Sequence, residues 1–554
     1  MKKTVFLFLG IGFLVYIQSL FNGFVIDDLT QVVNNNVLYG FDKIPSIFVY
    51  FWGSYYKPLF YVTLNIILTI FGNNPFPFHL AQLIFHIANT VLIFLLFSRF
   101  FKKNVSFILA LIFLVHPAIS EAVLYISAFQ DVLYSFFGLI ALNILVRFEK
   151  PKYTALVFFF LILSLLSKET GIAFFGIAVV YKFLFDRTNF VRYLIYSSLI
   201  VGVYVFIRIG ILNINPFNSA FKPIWTYDSD IYTRLISIPK IIYKYLTLFV
   251  WPDKLQVIQL WWVRKVNFQD FYLPLTAITV FFSVVSLYGI RKYLLLKKES
   301  FPYLFFLAFL VIGLLLHIQI IALDATFAER WFYLPLIALL GLVGFILNRI
   351  KFNSGTKKIF YVLAILIIML LSTRTFIRSF DWLGHKSLAV HDFEVDKLNP
   401  GTYFLLADYY MGNKQYADAY KLYTKVGEIA PKNEIVDSPL AFIELFRGNE
   451  KKAEEILRNS PKTILPNLLN YAYILLKSDP KAGKVLLVNS LKKFPDSYEI
   501  NILLGLTEYN LGNKEEAVKY IKKAITLNRS KTAEYNMLLN SIDKNIPINI
   551  NYKL

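Results

Sequence analysis

The chain has 554 residues, of which 57% are hydrophobic, 18% are aromatic and only 17% are charged, and this composition excludes an ordinary soluble domain. The formal net charge is +21, but the basic residues stand in short clusters between apolar segments, which argues against a nucleic-acid-binding surface. Because no cysteine occurs, disulfides, thiolate nucleophiles and cysteine-ligated metals are excluded as well.

The first predicted element is an apolar segment at residues 5–20, which follows the basic pair Lys2 and Lys3. This arrangement resembles a signal peptide, but no small-x-small cleavage site follows before Asn22. We therefore expect a retained first membrane span.

Apolar segments long enough to cross a bilayer recur along the chain up to residue 373. About eleven spans of roughly 20 residues are predicted, at residues 4–21, 76–98, 105–118, 122–146, 153–167, 170–186, 193–212, 270–290, 303–323, 331–349 and 358–373. After Asp381 the pattern changes to shorter amphipathic helices. The sequence thus predicts an all-α protein with a polytopic transmembrane domain over residues 1–380 and a helical-repeat domain over residues 381–554.

Basic residues cluster in every second predicted loop, which the positive-inside rule assigns to the cytoplasm. These residues are Arg99, Lys102, Lys103, Arg147, Lys150, Lys152, Arg187, Arg192, Arg291, Lys292, Lys297, Lys298, Arg349, Lys351, Lys357 and Lys358. The short loops on the other side carry only Lys168 and Arg330. With the N-terminus inside, an odd number of spans leaves the repeat domain outside the cytoplasm, and the absence of targeting signals favours a bacterial inner membrane.

Two long segments on the predicted outer side, residues 22–75 and 213–269, each contain an apolar stretch shorter than a span. These stretches, residues 59–71 and 236–249, are expected to lie along the membrane interface. Trp251, Trp261 and Trp262 suit that depth, because an indole ring there is partly exposed to water.

Small residues recur in the C-terminal domain at nearly constant spacing. They are Ala419, Ala453, Gly483 and Ala517, separated by 34, 30 and 34 residues, and 34 is the tetratricopeptide period. Gly448 and Gly512 take equivalent turn positions, and Pro431 and Pro495 end their units. We predict tetratricopeptide hairpins, with helical hairpins of another kind as the alternative.

An acidic pair, Asp27 and Asp28, directly follows the first span. Adjacent carboxylates can divide the work of a general base and of an orienting or metal-binding group. The alternative is that both aspartates only solvate the start of the loop. The apolar residues Phe24, Val25 and Ile26 before the pair favour a buried placement, and hence the catalytic interpretation.

Three cations, Lys57, Lys168 and Arg330, lie at the same predicted face. They would neutralise a lipid phosphate that leaves as its bond to a sugar breaks. The alternative for each is a cation that extends to the membrane interface. Glu121 and Glu169 would either pair with these cations or bind a divalent metal ion, and the sequence leaves both roles open.

Other polar residues near this face are predicted to support the site. They are His116, Glu121, Asp131, Glu169 and Glu329. His79 and His86 stand seven residues apart on one helix face, but no third ligand completes a metal site, so core hydrogen bonding is the favoured interpretation. No phosphate-binding glycine loop and no Ser-His-Asp arrangement is recognisable.

Taken in order, several motifs make the chain similar to the GT-C class of membrane glycosyltransferases, in the branch with C-terminal tetratricopeptide repeats that includes transmembrane O-mannosyltransferases. The motifs are FVIDD at residues 24–28, SYYKPL at 54–59, FGNNPFPFHLAQLIFHIAN at 71–89, HPAISEAVLYIS at 116–127, SKET at 167–170, ERWFYLP at 329–335 and Asp381-Trp382 at the start of the repeats.

The resemblance implies an active site that faces away from the cytoplasm and a polyprenyl-phosphate sugar as the donor. It also implies that Asp27 or Asp28 is the catalytic base, and that Lys57 and Arg330 lie near the donor phosphate. The chain departs from relatives at Phe129-Gln130, where Gly-Arg is common before the acidic residue that corresponds to Asp131. This departure removes one phosphate contact.

The resulting interpretation is an inverting transfer of mannose or another hexose to an extracytoplasmic acceptor, namely a Ser or Thr hydroxyl of a protein or peptide held by the repeats. Two alternatives stay open. One is an oligosaccharide ligase or polymerase that uses diphosphate-linked glycans, for which Arg234 and Arg264 in the 213–269 segment would be candidates. The other is a non-catalytic membrane scaffold whose repeats recruit a partner.

Overall fold

The computed structural model describes residues 2–50, 55–148, 150, 152–212, 214, 229–430, 434–460, 464–495, 497–527 and 532–548. Ser54 of the SYYKPL motif and Pro431 of the first repeat lie outside these residues. The described residues form helices and no β-strand, which confirms the all-α prediction. Two compact units are present, and the first ends at Lys397 while the second begins at Leu398.

The first unit is an apolar helical bundle. Its α-helices are α1 Lys2–Tyr16, α2 Ile44–Ile47, α3 Pro58–Phe71, α4 Pro75–Phe100, α5 Lys103–Val115, α6 Glu121–Leu124, α7 Phe129–Arg147, α8 Lys152–Ser167, α9 Ile172–Phe185, α10 Arg187–Phe206, α11 Ile231–Val250, α12 Leu273–Leu296, α13 Phe301–Leu315, α14 Tyr333–Arg349, α15 Ser354–Asp381 and α16 His385–Val395. Short 3-10 or π turns at Leu29–Val33, Ile126–Ala128, Ile207–Ile211 and Glu329–Phe332 connect several of them.

Seven helical stretches in the described residues are long and apolar enough to cross a membrane. They are Lys2–Phe21, Pro75–Phe100, Ile126–Arg147, Arg187–Ile211, Phe268–Leu315, Glu329–Arg349 and Ser354–Asp381, and shorter apolar helices lie at Pro58–Phe71, Lys103–Val115 and Lys152–Ser167. The 48-residue stretch contains two helices, α12 and α13, joined by a 3-10 turn. The chain is therefore an integral membrane protein, and each predicted span falls largely on a helix.

One predicted span is longer than its helix. The sequence predicts a span at residues 303–323, but α13 ends at Leu315 although Ile318, Ile320 and Ile321 continue the apolar pattern. The chain turns at Gln319, which has φ 64°, and the Gln319 amide donates to the carbonyl oxygens of Ala325 (2.7 Å) and Thr326 (3.1 Å). A buried amide with its own backbone partners thus stabilises an irregular segment that hydropathy alone does not predict.

Some helices of the bundle approach each other closely because an aromatic ring of one helix packs against a glycine of the next. A β-carbon at Gly138 of α7 would lie 2.2 Å from the Phe174 ring of α9, and one at Gly341 of α14 would lie 2.2 Å from the Phe306 ring of α13. A larger residue at either glycine position would overlap the neighbouring ring, because the interior is already close-packed.

The second unit consists of successive helical hairpins. Its helices are α17 Pro400–Gly412, α18 Tyr416–Ile429, α19 Asp437–Phe446, α20 Glu450–Asn459, α21 Leu465–Ser478, α22 Pro480–Lys493, α23 Tyr498–Asn510, α24 Lys514–Leu527 and α25 Thr532–Asp543. The predicted small residues Ala419, Ala453, Gly483 and Ala517 are each the fourth residue of the second helix in a hairpin, and all are buried. Gly448 (φ 80°) and Gly512 (φ 89°) occupy equivalent turns, as predicted.

Candidate functional site

The predicted site residues lie in the first unit, at the bundle end that holds the end of α5 and the starts of α7 and α14. The clusters of Arg99, Arg147 and Arg349 lie at the opposite ends of α4, α7 and α14. Most of the ten predicted residues are buried, and they are joined by ion pairs and hydrogen bonds across segments that are far apart in sequence.

Asp28 is fully buried and both of its carboxylate oxygens accept hydrogen bonds. Oδ1 accepts from the Ser127 backbone N–H (2.8 Å) and from the Ser127 hydroxyl (2.6 Å), while Oδ2 accepts from the Val25 N–H (3.1 Å). Burial raises the pKa of Asp28 to about 7 in spite of these bonds. Asp28 thus joins the first loop to the Ile126–Ala128 turn.

Asp27 lies beside Asp28 but in different surroundings. It is only partly buried, and its backbone N–H donates to the Tyr125 hydroxyl (3.1 Å). The pKa of Asp27 is raised, first by burial and then by the neighbouring charge of Asp324, whereas the positive charges of Arg330 and Lys57 lower it. The Asp27 carboxylate therefore lies within the electrostatic reach of two of the predicted cations.

The residue before this pair, Ile26, has φ 47°. A β-branched residue rarely adopts this left-handed conformation, and the strain is maintained only where the surroundings determine it. The hydrogen bonds that Asp28 accepts from Val25 and Ser127 hold the backbone next to Ile26 in place. The turn at Ile26 is thus part of how the acidic pair is positioned.

Lys57 is buried at the start of α3. Its Nζ donates to Gln31 Oε1 (3.0 Å) and lies 4.6 Å from the ring centroid of Phe60 and 5.3 Å from that of Tyr61. Burial lowers the pKa of Lys57 to about 8. In the described part of the chain no carboxylate forms an ion pair with Lys57, so its positive charge is available to a ligand.

Lys168 is paired with Asp131. The Lys168 Nζ lies 2.6 Å from Asp131 Oδ1, and both side chains are buried. Asp131 Oδ2 has no hydrogen-bond partner among the described residues. The pair joins the start of α7 to the end of α8, and it neutralises most of the Lys168 charge.

Arg330 is shared by two carboxylates. Its guanidinium pairs with Glu121, whose other oxygen accepts from the Arg330 backbone N–H (2.9 Å), and Nη2 lies 3.6 Å from Asp324. The phenol of Tyr55 also hydrogen-bonds to the backbone of Asp324, which connects the segment that carries Lys57 to that of Arg330. Arg330 and Lys57 are thus brought to the same region.

Two predicted supporting residues, Glu169 and His116, have partners of their own. Glu169 accepts from the Tyr56 N–H (2.8 Å) and lies 3.6 Å from Arg208 Nη2. His116 accepts from the Ala118 N–H through Nδ1 (3.2 Å), and its Nε2 lies 3.2 Å from the Phe249 carbonyl oxygen. Burial lowers the pKa of His116 to about 4, so the ring is neutral near pH 7.

Glu329 belongs to a second, buried network. Its side chain accepts from the Gln256 N–H and lies 4.0 Å from Arg378 Nη2. Arg378 also contacts Asp381 (3.0 Å), and Asp392 accepts from the Val257 N–H (2.8 Å). The network joins α15, α16 and the segment after α11 to the residue next to Arg330.

Sequence reasoning missed several residues that hold this region together. They are Gln31, Tyr55, Tyr125, Ser127, Arg208, His317 and Arg378. The His317 ring stacks on Trp331 (5.1 Å between centroids). Burial, together with the nearby positive charges of Lys168 and Arg330, lowers the pKa of His317 to about 3. Three of these residues lie in motifs that the sequence singled out, namely Tyr55 in SYYKPL and both Tyr125 and Ser127 in HPAISEAVLYIS.

Other predicted features lie elsewhere. His86 contacts the Tyr333 hydroxyl (2.9 Å) and the Leu114 carbonyl oxygen (3.0 Å), in agreement with core hydrogen bonding. Arg234 donates to the carbonyl oxygens of Gln319 (3.3 Å) and Ile320 (3.1 Å). Within the described residues no group of three His, Asp or Glu side chains is arranged to hold a metal ion.

Comparison with known families finds two matches. Residues 57–210 match the family described as dolichyl-phosphate-mannose-protein mannosyltransferase, and residues 400–433 and 498–531 each match a tetratricopeptide repeat. The first match includes Lys57, Glu121, Asp131, Lys168 and Glu169.

Similar curated proteins carry the name protein O-mannosyl-transferase. TMTC3 of Homo sapiens is 23% identical over 513 residues, covering 84% of this chain and 56% of the relative. F38B6.6 of Caenorhabditis elegans is 24% identical over 474 residues, covering 78% and 63%, and TMTC1 of Homo sapiens is 35% identical over 206 residues, covering 32% and 23%. The chain thus spans about three fifths of the first two relatives. The resemblance to membrane glycosyltransferases with C-terminal tetratricopeptide repeats is confirmed.

Proposed function

We propose that this protein is an inverting glycosyltransferase that moves mannose or another hexose from a polyprenyl phosphate to a Ser or Thr hydroxyl of a protein. The proposal is supported by the electrostatic influence of Lys57 and Arg330 on Asp27, and by the Tyr55–Asp324 and Asp324–Arg330 contacts, which join the segments of the two cations. The names of the relatives, which describe protein O-mannosyl-transferases, support the sugar and the acceptor class.

Asp27 is the base. Asp28 has three hydrogen-bond donors on its two oxygens and is fully buried, so it is engaged in structure. Asp27 is partly accessible, and its raised pKa makes its carboxylate a better proton acceptor than an ordinary aspartate. We assign proton removal to Asp27 and the positioning of the loop to Asp28.

Lys57 is the principal phosphate ligand. Its ammonium group has no paired carboxylate in the described residues, whereas Lys168 is paired with Asp131 and Arg330 is shared by Glu121 and Asp324. A buried cation without a carboxylate gains most from an incoming phosphate. Arg330 and Lys168 add positive potential around it.

The reaction is one displacement at the anomeric carbon. Asp27 takes the proton of the acceptor hydroxyl as the hydroxyl oxygen forms the new bond to the anomeric carbon. The bond between that carbon and the phosphate oxygen breaks on the opposite side, and the polyprenyl phosphate leaves with its electron pair next to Lys57. Because there is one displacement, the anomeric configuration is inverted.

The second unit supports a polypeptide acceptor. Stacked tetratricopeptide hairpins form extended concave surfaces, and such surfaces bind peptide segments. We propose that these repeats lie outside the cytoplasm and bind the acceptor, in keeping with the distribution of basic residues in the loops. A bacterial inner membrane is the proposed location, and Glu121, Asp131, Glu169, Glu329 and His116 are proposed to support the site.

The test is the release of polyprenyl phosphate by membranes that contain the full-length protein. Asp27→Asn is expected to lower turnover by about 10²- to 10⁴-fold, the usual contribution of a general base. Asp42→Asn is the matched control, because Asp42 is an exposed aspartate of the same segment whose ion pair, among the described residues, is with its neighbour Lys43. Turnover by Asp27→Asn equal to that of the control would refute the assignment of the base.

Two readouts separate the alternatives. Release of a lipid diphosphate in place of a monophosphate would identify an oligosaccharide ligase. Glycoproteomics of surface proteins with and without the gene should show loss of a hexose from Ser or Thr. An unchanged glycoproteome, with function abolished only by removal of residues 398–554, would identify a scaffold.

A further inference from the structure

A cavity of about 810 Å³ lies among α1, α4, α5 and α15, with Arg147 of α7 at its edge. Its volume is within the range of about 300–1,000 Å³ usual for small-molecule sites. The walls are apolar and include Phe94, Phe107, Leu111 and Ile368. Walls of this kind fit a hydrocarbon chain.

The cavity is remote from the candidate site. Asp131 and Arg147 lie near opposite ends of α7, so the rise of a helix separates them by about 24 Å. Lys103, which also lines the cavity, begins α5, whereas His116 follows its end. One lipid head group therefore cannot contact both places, because the cavity lies at the opposite end of α7 from the candidate site.

The rim of the cavity is polar and positively charged. Lys103 and Arg147 line it, and no acidic residue does. Arg147 Nη2 donates to the Leu95 carbonyl oxygen (3.0 Å), which holds the guanidinium at the rim. Asn104 Nδ2 donates to the Tyr361 hydroxyl (3.0 Å) on the facing helix.

The cavity is also lined by Ser98, whose hydroxyl group is buried. The oxygen of this hydroxyl has no hydrogen-bond partner among the described residues. A buried hydroxyl without a partner is costly. An oxygen-rich head group that enters the cavity would satisfy it.

We propose that this cavity binds an anionic phosphoglyceride, with one acyl chain against the apolar walls and the phosphate head group at Lys103, Arg147 and Ser98. The two cations attract phosphate through charge-assisted hydrogen bonds. The apolar walls explain why the ligand is a lipid and not free phosphate. The proposal does not depend on the glycosyl transfer, since none of these residues belongs to the candidate site.

Native mass spectrometry of the full-length protein in mild detergent tests this site, with phosphatidylglycerol and phosphatidylcholine supplied in equal amounts. The wild type should retain phosphatidylglycerol in preference. Lys103→Gln/Arg147→Gln should reduce that preference by about 10- to 30-fold, the effect of two cations near an anionic head group. Ala364→Phe, which adds bulk to the cavity wall, should reduce retention of both lipids.

The matched control is Arg99→Gln/Lys102→Gln. Both residues are exposed, carry the same two charges and lie at the end of α4 and beside the start of α5, but neither lines the cavity. The control should retain the wild-type preference. Equal loss in both double variants would mean non-specific attraction of lipid to a basic surface, and would overturn the proposal. Retention of polyprenyl phosphate instead of phosphatidylglycerol, or equal retention of the two supplied lipids by the wild type, would overturn it too.

Discussion

Asp27 and Asp28 are neighbours in sequence, yet their surroundings differ. The oxygens of Asp28 are occupied by Val25 and Ser127, whereas Asp27 responds to the charges of Asp324, Arg330 and Lys57. The conformation of Ile26 contributes to this separation of roles. Burial and partners thus give the two carboxylates different surroundings, and the proposed assignment of the base rests on this difference.

The pH dependence of kcat/KM should follow from the two groups that we place in the reaction. Asp27 must be deprotonated, so activity is lost as the pH falls through its raised pKa. Lys57 must be protonated, so activity is lost as the pH rises through its pKa of about 8. Lys57→Arg should move the alkaline limb to higher pH, because a guanidinium stays charged.

The control for this profile is Lys43→Arg, which exchanges an exposed lysine of the same segment and should leave both limbs in place. An alkaline limb that does not move in Lys57→Arg would mean that another group sets it. Loss of all activity in Lys57→Arg with retention in Lys57→Gln would exclude a role for the charge.

At the scale of elements, the Glu329–Phe332 turn delivers Arg330 to the site. Glu121 binds the Arg330 side chain and backbone, while the preceding residue, Glu329, is held by the Gln256 N–H and faces Arg378. The Glu121 carboxylate and the Gln256 N–H, which lie on different segments, thus hold consecutive residues of one turn. Such double attachment positions a guanidinium more firmly than a single ion pair on a loop.

The repeat hairpins depend on small residues where their two helices approach each other. A β-carbon at Gly505 of α23 would lie 2.7 Å from Ile521 Cγ1 and 3.2 Å from the Ala517 carbonyl oxygen of α24. Gly505→Ala should therefore destabilise this hairpin by about 1–3 kcal/mol, the cost of overpacking. Hydrogen exchange of residues 498–527 in the full-length protein measures the change.

Gly427→Ala is the matched control for this hairpin prediction. Gly427 lies in α18, where the nearest atom to an added β-carbon is 3.9 Å away, so alanine should be neutral or should stabilise the helix by about 0.5–1 kcal/mol. Equal exchange rates in the two variants would show that the close approach of α23 and α24 does not limit the stability of the hairpin.

At the scale of the whole molecule, the proposed orientation in the membrane can be tested with single cysteines, because the chain has none of its own. Asp42→Cys and Lys421→Cys should react with an impermeant maleimide added to intact cells or spheroplasts, and Lys298→Cys should not. All three residues are exposed, so a permeant maleimide serves as the control and should label each of them. The reverse pattern would put the candidate site on the cytoplasmic side and refute the proposed acceptor.

Much of the helical architecture was predictable, because it depends on patterns within a few consecutive turns. Apolar runs of membrane length predicted the bundle helices, and the recurrence of Ala419, Ala453, Gly483 and Ala517 predicted the hairpins. The end of α13 at Leu315 was not predictable, since the amide of Gln319 binds carbonyl oxygens that hydropathy does not register.

Local patterns in the sequence indicated which side chains stand at the ends of apolar helices, and these patterns singled out Asp27, Lys57 and Arg330. The partners of the site residues became known only from the folded chain, because Asp28 pairs with Ser127 across 99 residues and Arg330 pairs with Glu121 across 209 residues. A local pattern records hydrophobicity and turn chemistry, but it holds no record of which distant segment packs beside it. Burial and charge at the site arise from that packing, and they give Asp27 and Asp28 the different surroundings on which the proposed roles rest.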